Sequence, residues 1–467
     1  MAETKLVFWF ERLRLRAAIR KGDQRVLTLV ALVAASSILV KAGTAVRELL
    51  VGWYFGLTEP MDAYVISYAV PYFLTTLLGS ALPQVFVPAY VRARTGHFGR
   101  AAENLSGLVL LLATALLVTL ALAVGFGAPL YLPLLGRGFS DVQLLVADRL
   151  AVLLAPTLVT SVLISMAGAI LNAHGKFLAP AVSPLLTTAT VVATLTLFVA
   201  KLGIYALALG TLFGTTAELL LLAALVRRET SIRLDVGSAR WTRPVRDMAE
   251  RFGVTLIGAA LMAATMLIDQ AMSSGLGSGS VAALNYATRL VTVPLSLTAA
   301  ALGTVVLPYF STLVAQREWL QIRHTVRRYL GAALLLSTPL ALALAVYAAP
   351  ITDLLLVRGA FNADNAITVA RTVSALALAI PSYTCVVLLL RLALALHLNL
   401  AIAFISAVNL ALNIALNAWL SSVLGVAGIA LSTSAVYALS FGLLYAVTQQ
   451  RISSRLATGV RARGVQG

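Results

Sequence analysis

Apolar runs of about 20 residues recur along almost all of the 467-residue chain, and each is long enough to cross a hydrocarbon core of roughly 30 Å as a helix. None shows the strict alternation of a half-buried strand. Inside a bilayer no water is available to unpaired backbone groups, so only helices or a closed barrel can span it. A mean hydropathy of +0.93 with 11% charged residues lies far from a soluble globular domain. The sequence predicts an all-α membrane protein with about twelve transmembrane helices. Their approximate spans are 26–56, 60–90, 104–134, 146–172, 177–200, 203–226, 247–274, 279–314, 328–350, 364–391, 398–421 and 425–449. Pro71, Pro83 and Pro294 fall inside long spans and are candidate kinks.

Lys and Arg number 35 against 18 Asp and Glu, a balance that would point to nucleic acid in a soluble protein. Their placement points to the membrane instead. Arg12, Arg14, Arg16 and Arg20 precede the first span, and Arg92, Arg94 and Arg100 follow the second. Arg227, Arg228, Arg240 and Arg243 follow the sixth, Arg323, Arg327 and Arg328 the eighth, and Arg451, Arg455 and Arg461 the twelfth. With twelve spans all these clusters fall on one side, so the positive-inside rule places both termini in the cytoplasm. The long first apolar run does not read as a cleavable signal. Cys385 is the only cysteine, which leaves no intrachain disulfide, and four scattered His give no support for a metal site. No cofactor is expected.

The chain reads as a duplication. "GIYALALGT" (203–211) opens the sixth span and "GVAGIALST" (425–433) the twelfth; Pro156 and His174 are matched by Pro381 and His397. "VPYFLTTLLGSALPQVFVP" (70–88) parallels "VPLSLTAAALGTVVLP" (293–308). The predicted organisation is a basic N-terminal segment (1–25), an N-lobe (26–226), a basic linker (227–246), a C-lobe (247–450) and a basic tail (451–467). An even number of spans per half makes the repeats parallel, related by a pseudo-two-fold along the membrane normal. Two such lobes rocking about a central cavity are the architecture of an alternating-access transporter.

A charge near the bilayer centre costs roughly 2.5 to 3.5 kcal/mol on insertion scales, so such residues face water or a partner. Lys41, Arg47 and Glu48 lie in the first span. Six residues separate Lys41 from Arg47, an offset of roughly 120° and about 9 Å of rise, which suits two sides of one cleft. Glu48 is expected to pair with a neighbouring helix. Arg289 in the eighth span, Asp269 in the seventh and Asp62 at the start of the second complete a sparse, mainly cationic set. Such cations suit a phosphate-bearing substrate, since Arg offers a bidentate fork to phosphate oxygens. The structural alternatives are an ion pair for Arg47 or Arg289, snorkelling for Lys41, Lys201 and Arg391, and a helix N-terminal role for Asp62. Glu218, deep in the sixth span, has no role readable from the sequence. No nucleophile and base cluster together and no phosphate-binding loop is present, so an enzyme or an ATP-driven pump is not expected.

"VRELLVGWYFGLTEPMDAYVISYAVPYFLTTLLGSALPQVFVPAY" (46–90), "AGAILNAHGKFLAPAVSP" (167–184) and "GSGSVAALNYATRLVTVPLSLTAAALGTVVLPYFS" (277–311) together resemble the MurJ/MviN family of lipid II flippases, over roughly residues 30 to 450. The family belongs to the multidrug/oligosaccharidyl-lipid/polysaccharide exporter superfamily. The resemblance implies a flippase of the bacterial inner membrane for an undecaprenyl-diphosphate-linked saccharide, held in a cationic cavity. It maps the family's cavity residues onto Arg47, Asp62 and Arg289, with Lys41 in place of an arginine. Departures are Thr75 and Thr76 where the family has an arginine pair, Gly79 and Ser80 near a lost acidic residue, Thr292 for another, and twelve spans for a typical fourteen. Expected partners are the polyprenyl-diphosphate saccharide, the lipid bilayer and enzymes of envelope biosynthesis, with no nucleic acid. The rival is a cation-coupled multidrug-type exporter in which Asp62 and Asp269 would be critical; a third reading is a non-transporting envelope scaffold.

Overall fold

The computed structural model describes residues 32–464 except 34, 96–98, 231–251, 253–255, 257–259 and 261–262, and among them every regular element is a helix. In order these are α1 (35–55), α2 (Glu59–Thr95), α3 (Gly99–Phe126), α4 (Ala128–Leu135), α5 (Asp141–Leu154), α6 (Pro156–Ala173), α7 (Leu178–Val182), α8 (Pro184–Leu202) and α9 (Ile204–Glu229). Then follow α10 (263–274), α11 (Ser280–Ala315), α12 (Trp319–Val346), α13 (Ala348–Leu356), α14 (Ala363–Ala377), α15 (Ala379–Ala395), α16 (Asn399–Leu424) and α17 (Val426–Gly464). The expected segment 1–25 and most of the linker 227–246 lie outside the described residues. Among the described residues nine helical stretches are long and apolar enough to cross a membrane, and they coincide with expected spans two to six and nine to twelve. Expected spans one, seven and eight fall on α1, α10 and α11.

The element order repeats. After each long opening helix (α2, α11) comes a 28-residue helix (α3, α12), then a short one (α4, α13), then a pair broken near a proline (α5–α6, α14–α15). The breaks fall at Ala155, before Pro156, and at Leu378, three residues before Pro381, where proline removes a backbone donor and ends a regular hydrogen-bond ladder. By contrast α2 runs on through Pro71 and Pro83. Each half closes with a tight turn into its last helix. Gly203 (φ 54°, ψ −132°) and Gly425 (φ 60°, ψ −137°) share one backbone conformation that only glycine adopts readily.

The chain divides into two compact units. Unit 1 comprises the described residues of 1–50, 79–119 and 156–251; unit 2 comprises those of 51–78, 120–155 and 252–467. The core of unit 1 includes Phe86, Tyr90, Ala113, Met166 and Ile170, from α2, α3 and α6. Unit 2 buries Phe310, Ile322, Val326, Leu388, Leu392 and Ile452, from α11, α12, α15 and α17. Leu400 is 89% exposed and Leu335 and Leu336 about three-quarters exposed, an apolar outer surface that suits lipid rather than water.

One polar knot in unit 2 ties three turns together. The last turn of α1 presents Trp53 O to the Ala360 N–H at 2.8 Å, and Gly279 sits so close to Leu57 in the α1–α2 turn that a Cβ there would meet it at 2.8 Å. Asp62, fully buried, then accepts the N–H groups of Gly279 at 2.5 Å and Ala282 at 2.7 Å, so its carboxylate caps the N-terminus of α11. The first-turn amides of α11 have no intrahelical partner and carry the positive end of the helix dipole; a carboxylate satisfies both needs. Asp62 thus takes the helix-terminus role rather than a place on an open cavity surface. Replacement by Ala strands two buried donors and is expected to destabilise by about 1 to 3 kcal/mol for the lost partner, read as a lower thermal midpoint, with Asn recovering part of the loss. An unchanged midpoint for Asp62→Ala would remove this account of the knot.

Candidate functional site

In unit 1, α1 carries both Lys41 and Arg47. Lys41 is exposed and Arg47 retains 20% of its side-chain surface. Arg47 Nη2 donates to Glu48 Oε1 at 2.7 Å. Adjacent helical positions diverge by 100°, but the long arginine stem curls across that angle, so Glu48 pairs with Arg47 on its own helix. The pair stays half-buried, and the guanidinium is not sealed into a core.

In unit 2, Arg289 on α11 donates through Nε to Asn285 Oδ1 at 2.8 Å, one turn earlier on the same helix. That bond fixes the plane of the guanidinium fork while the residue remains half-buried. Asp269 on α10 lies in a separate cluster. Asn417 Nδ2 donates to its Oδ1 at 2.7 Å and Thr433 Oγ1 to its Oδ2 at 3.3 Å. Asn417 Nδ2 also reaches Asn413 Oδ1 at 3.3 Å, and Ser432 Oγ donates to Asn417 Oδ1. Asn413, Asn417 and Ser432 are buried. Sequence reasoning picked out Asp269 but missed its ring of partners. The signal was present: "NLALNIALN" (409–417) puts three asparagines at i, i+4 and i+8 on one face of an apolar helix. Beside this cluster a cavity of about 110 Å³, lined by Thr265, Asn409, Asn413, Thr433, Tyr437 and Ser440 among apolar side chains, has room for a few water molecules.

Among the described residues no three His, Cys, Asp or Glu lie close enough to hold a metal ion. The Asp269 cluster offers one carboxylate, carboxamide oxygens and a hydroxyl, a hard oxygen set suited to a proton or a small monovalent cation. The structure therefore separates the expected set by unit. Lys41 and Arg47 share α1 in unit 1, Arg289 and Asp269 belong to different clusters in unit 2, and Asp62 is occupied at the α11 terminus. Replacing Asn417 with Leu leaves Asp269 Oδ1 and the Ser432 hydroxyl without their partner, so a clear drop in thermal midpoint is expected, larger than for Ser432→Ala. Equal midpoints for wild type and Asn417→Leu would show that the cluster does not hold α10 to α16.

Residues 51–464 match the family model described as "Lipid II flippase MurJ". The chain is 29% identical to the "Lipid II flippase MurJ" of Burkholderia cenocepacia over 356 residues, covering 72% of this chain and 67% of that protein. It is 27% identical to the "Probable lipid II flippase MurJ" of Synechocystis over 451 residues, covering 93% and 83%. Among solved structures, "Lipid II flippase MurJ, inward closed conformation" superposes with a TM-score of 0.78 at 22% identity, over 91% of this chain and 90% of that one. An inward-facing multidrug resistance MATE family transporter of the MOP superfamily superposes at 0.76 with 14% identity, over 91% and 99%. At those identities the structural likenesses speak for the all-helical fold alone; the sequence match over 51–464 carries the assignment further. The chain belongs to the MurJ family.

Proposed function

We propose that this protein is a flippase that carries an undecaprenyl-diphosphate-linked saccharide, lipid II or a related glycan precursor, across the bacterial inner membrane by alternating access. The observation that carries the reading is the retention of Arg47 and Arg289 in apolar helices, each half-buried and each steadied by a neighbour on its own helix. An arginine kept at this position in lipid costs free energy unless its environment returns it, and a diphosphate supplies matching negative charge and acceptor oxygens. Lys41, exposed on α1, adds a third cation. Transport then requires that the headgroup be favoured enough to replace water and be released when the two lobes, 26–226 and 247–450, change their mutual arrangement. The arginine-rich loops support a topology with both termini in the cytoplasm, the side on which such precursors are made and where their synthesising enzymes would hand them over.

The rival reading, a cation-coupled multidrug-type exporter, draws on Asp269 and Asp62. Asp62 is fully buried with its oxygens engaged by α11 amides, which weighs against it as a drug-binding group. Asp269 and its oxygen-rich surroundings support a role in energising transport, and that role is compatible with a flippase.

In proteoliposomes, Arg47→Ala and Arg289→Ala are each expected to reduce movement of the diphosphate-linked saccharide by roughly ten- to a hundredfold, the worth of a hydrogen bond to a charged group, while both proteins remain folded. Arg289→Lys should recover part of the rate, since charge returns without the fork. A fully active Arg47→Ala protein would overturn the assignment of that residue.

A further inference from the structure

Glu218 lies in the middle of the 26-residue helix α9 and is only 5% exposed. Ser183 Oγ donates to its Oε1 at 2.8 Å and Thr187 Oγ1 to its Oε2 at 2.6 Å. Both partners are neutral. Neither α6 nor α7 contains a titratable side chain, and on α8 the only one is Lys201, fourteen residues beyond Thr187 and roughly 21 Å further along the axis. On α9 the nearest charges are Arg227 and Arg228, nine and ten residues on, and the nearby Lys176–Glu229 pair is closed on itself at 2.9 Å. Helix α1 packs on α8 through Gly43 against Leu185 and Thr188; of its charged residues Arg47 pairs with Glu48, and Lys41 is exposed and makes no ion pair with Glu218. Among the described residues the Glu218 carboxylate has no cationic partner.

The carboxylate faces a break in the membrane-crossing helix beside it. Five-residue α7 ends at Val182, Ser183 forms the joint, and Pro184 opens α8. Pro184 has no N–H, so the Pro180 carbonyl loses its normal donor four residues on, and Ser183 Oγ reaches that carbonyl at 3.3 Å instead. Close approach of the two helices is built in: a Cβ at Gly214 would lie 2.9 Å from Thr187 Cα, so only glycine there lets Thr187 come up against α9. The second half lacks all of this. Its α16 runs unbroken from Asn399 to Leu424, and fifteen residues after Gly425, as Glu218 is fifteen after Gly203, stands Ser440. The fold can therefore be built without a carboxylate or a break at this place.

We propose that Glu218, Ser183, Thr187 and the Pro180 carbonyl form a binding site for one hard monovalent cation, with sodium as the fitting probe. Two carboxylate oxygens, two hydroxyls and a carbonyl released by a helix break are the ligand types that discontinuous membrane helices present to such ions. One negative charge among neutral oxygens matches a single positive charge and falls short of the two or more carboxylates usual for calcium. When the ion enters, the Ser183 and Thr187 hydrogens turn off the carboxylate and the hydroxyl lone pairs face the cation. Occupancy links α9 to the α7–α8 joint. The site lies wholly within unit 1, is distinct from the Asp269 cluster, and stands whether or not the substrate is a lipid-linked saccharide.

The test is thermal unfolding of the purified full-length protein in detergent, with sodium chloride titrated against choline chloride at constant ionic strength. Wild type and Asp269→Asn should both show a sodium-specific rise in midpoint, since a ligand that binds only the folded state stabilises it by mass action. With Asp269→Asn as the background, so that the Asp269 cluster cannot supply the signal, the rise should vanish on adding Glu218→Gln and shrink on adding Thr187→Val or Ser183→Ala, which keep the readout available if the glutamine variant fails to fold. Absence of a sodium-specific rise in Asp269→Asn, or an undiminished rise when Glu218→Gln or both hydroxyl changes are added to it, overturns the proposal.

Discussion

An ionised or polar side chain inside hydrocarbon needs a partner, and Asp62, Arg47, Arg289, Asp269 and Glu218 each have one. The solutions differ with the job. Asp62 spends its charge on the orphan amides of α11 and so fixes a joint of the fold. Arg47 and Arg289 are steadied by groups on their own helices and remain half-buried, which holds their heads in place without enclosing them. Asp269 and Glu218 are ringed by neutral amides and hydroxyls. Asp62 is held by backbone N–H groups at a helix terminus, whereas the partners of Asp269 and Glu218 are side-chain amides and hydroxyls.

Much of this was legible in the sequence. The repeated apolar runs give the helical architecture because a bilayer allows so few alternatives, and the positions of Pro156, Pro381, His174 and His397 marked the duplicated breaks and turns. What the sequence could not supply was direction and reach. Whether Asp62 lines a cavity or caps a helix depends on a residue more than two hundred positions away, and no local pattern encodes that pairing. Glu48 pairs with Arg47 because a flexible stem bends across the helical angle, a rotamer choice that periodicity ignores. The asparagines around Asp269 had a clear i, i+4 signature, and their meaning emerges only when α10 and α17 are set beside α16.

The two halves share an order of elements and a pair of nearly identical glycine turns, yet they have diverged in polar content. The first carries a broken helix facing Glu218, where the second has a continuous helix and a serine. The second carries the Asp269 cluster. The repeated order of elements accounts for the regular scaffold, while the buried polar residues differ between its halves.

The central claim is that the intramembrane cations serve a diphosphate. The most direct measurement compares transbilayer movement, in proteoliposomes of the wild-type protein, of one saccharide attached to undecaprenyl diphosphate and to undecaprenyl monophosphate. The account predicts clear transport of the diphosphate form and much weaker transport of the monophosphate, because one phosphate offers fewer acceptor oxygens and less charge to the arginines. Equal rates for the two lipids, or movement of neither, would contradict it.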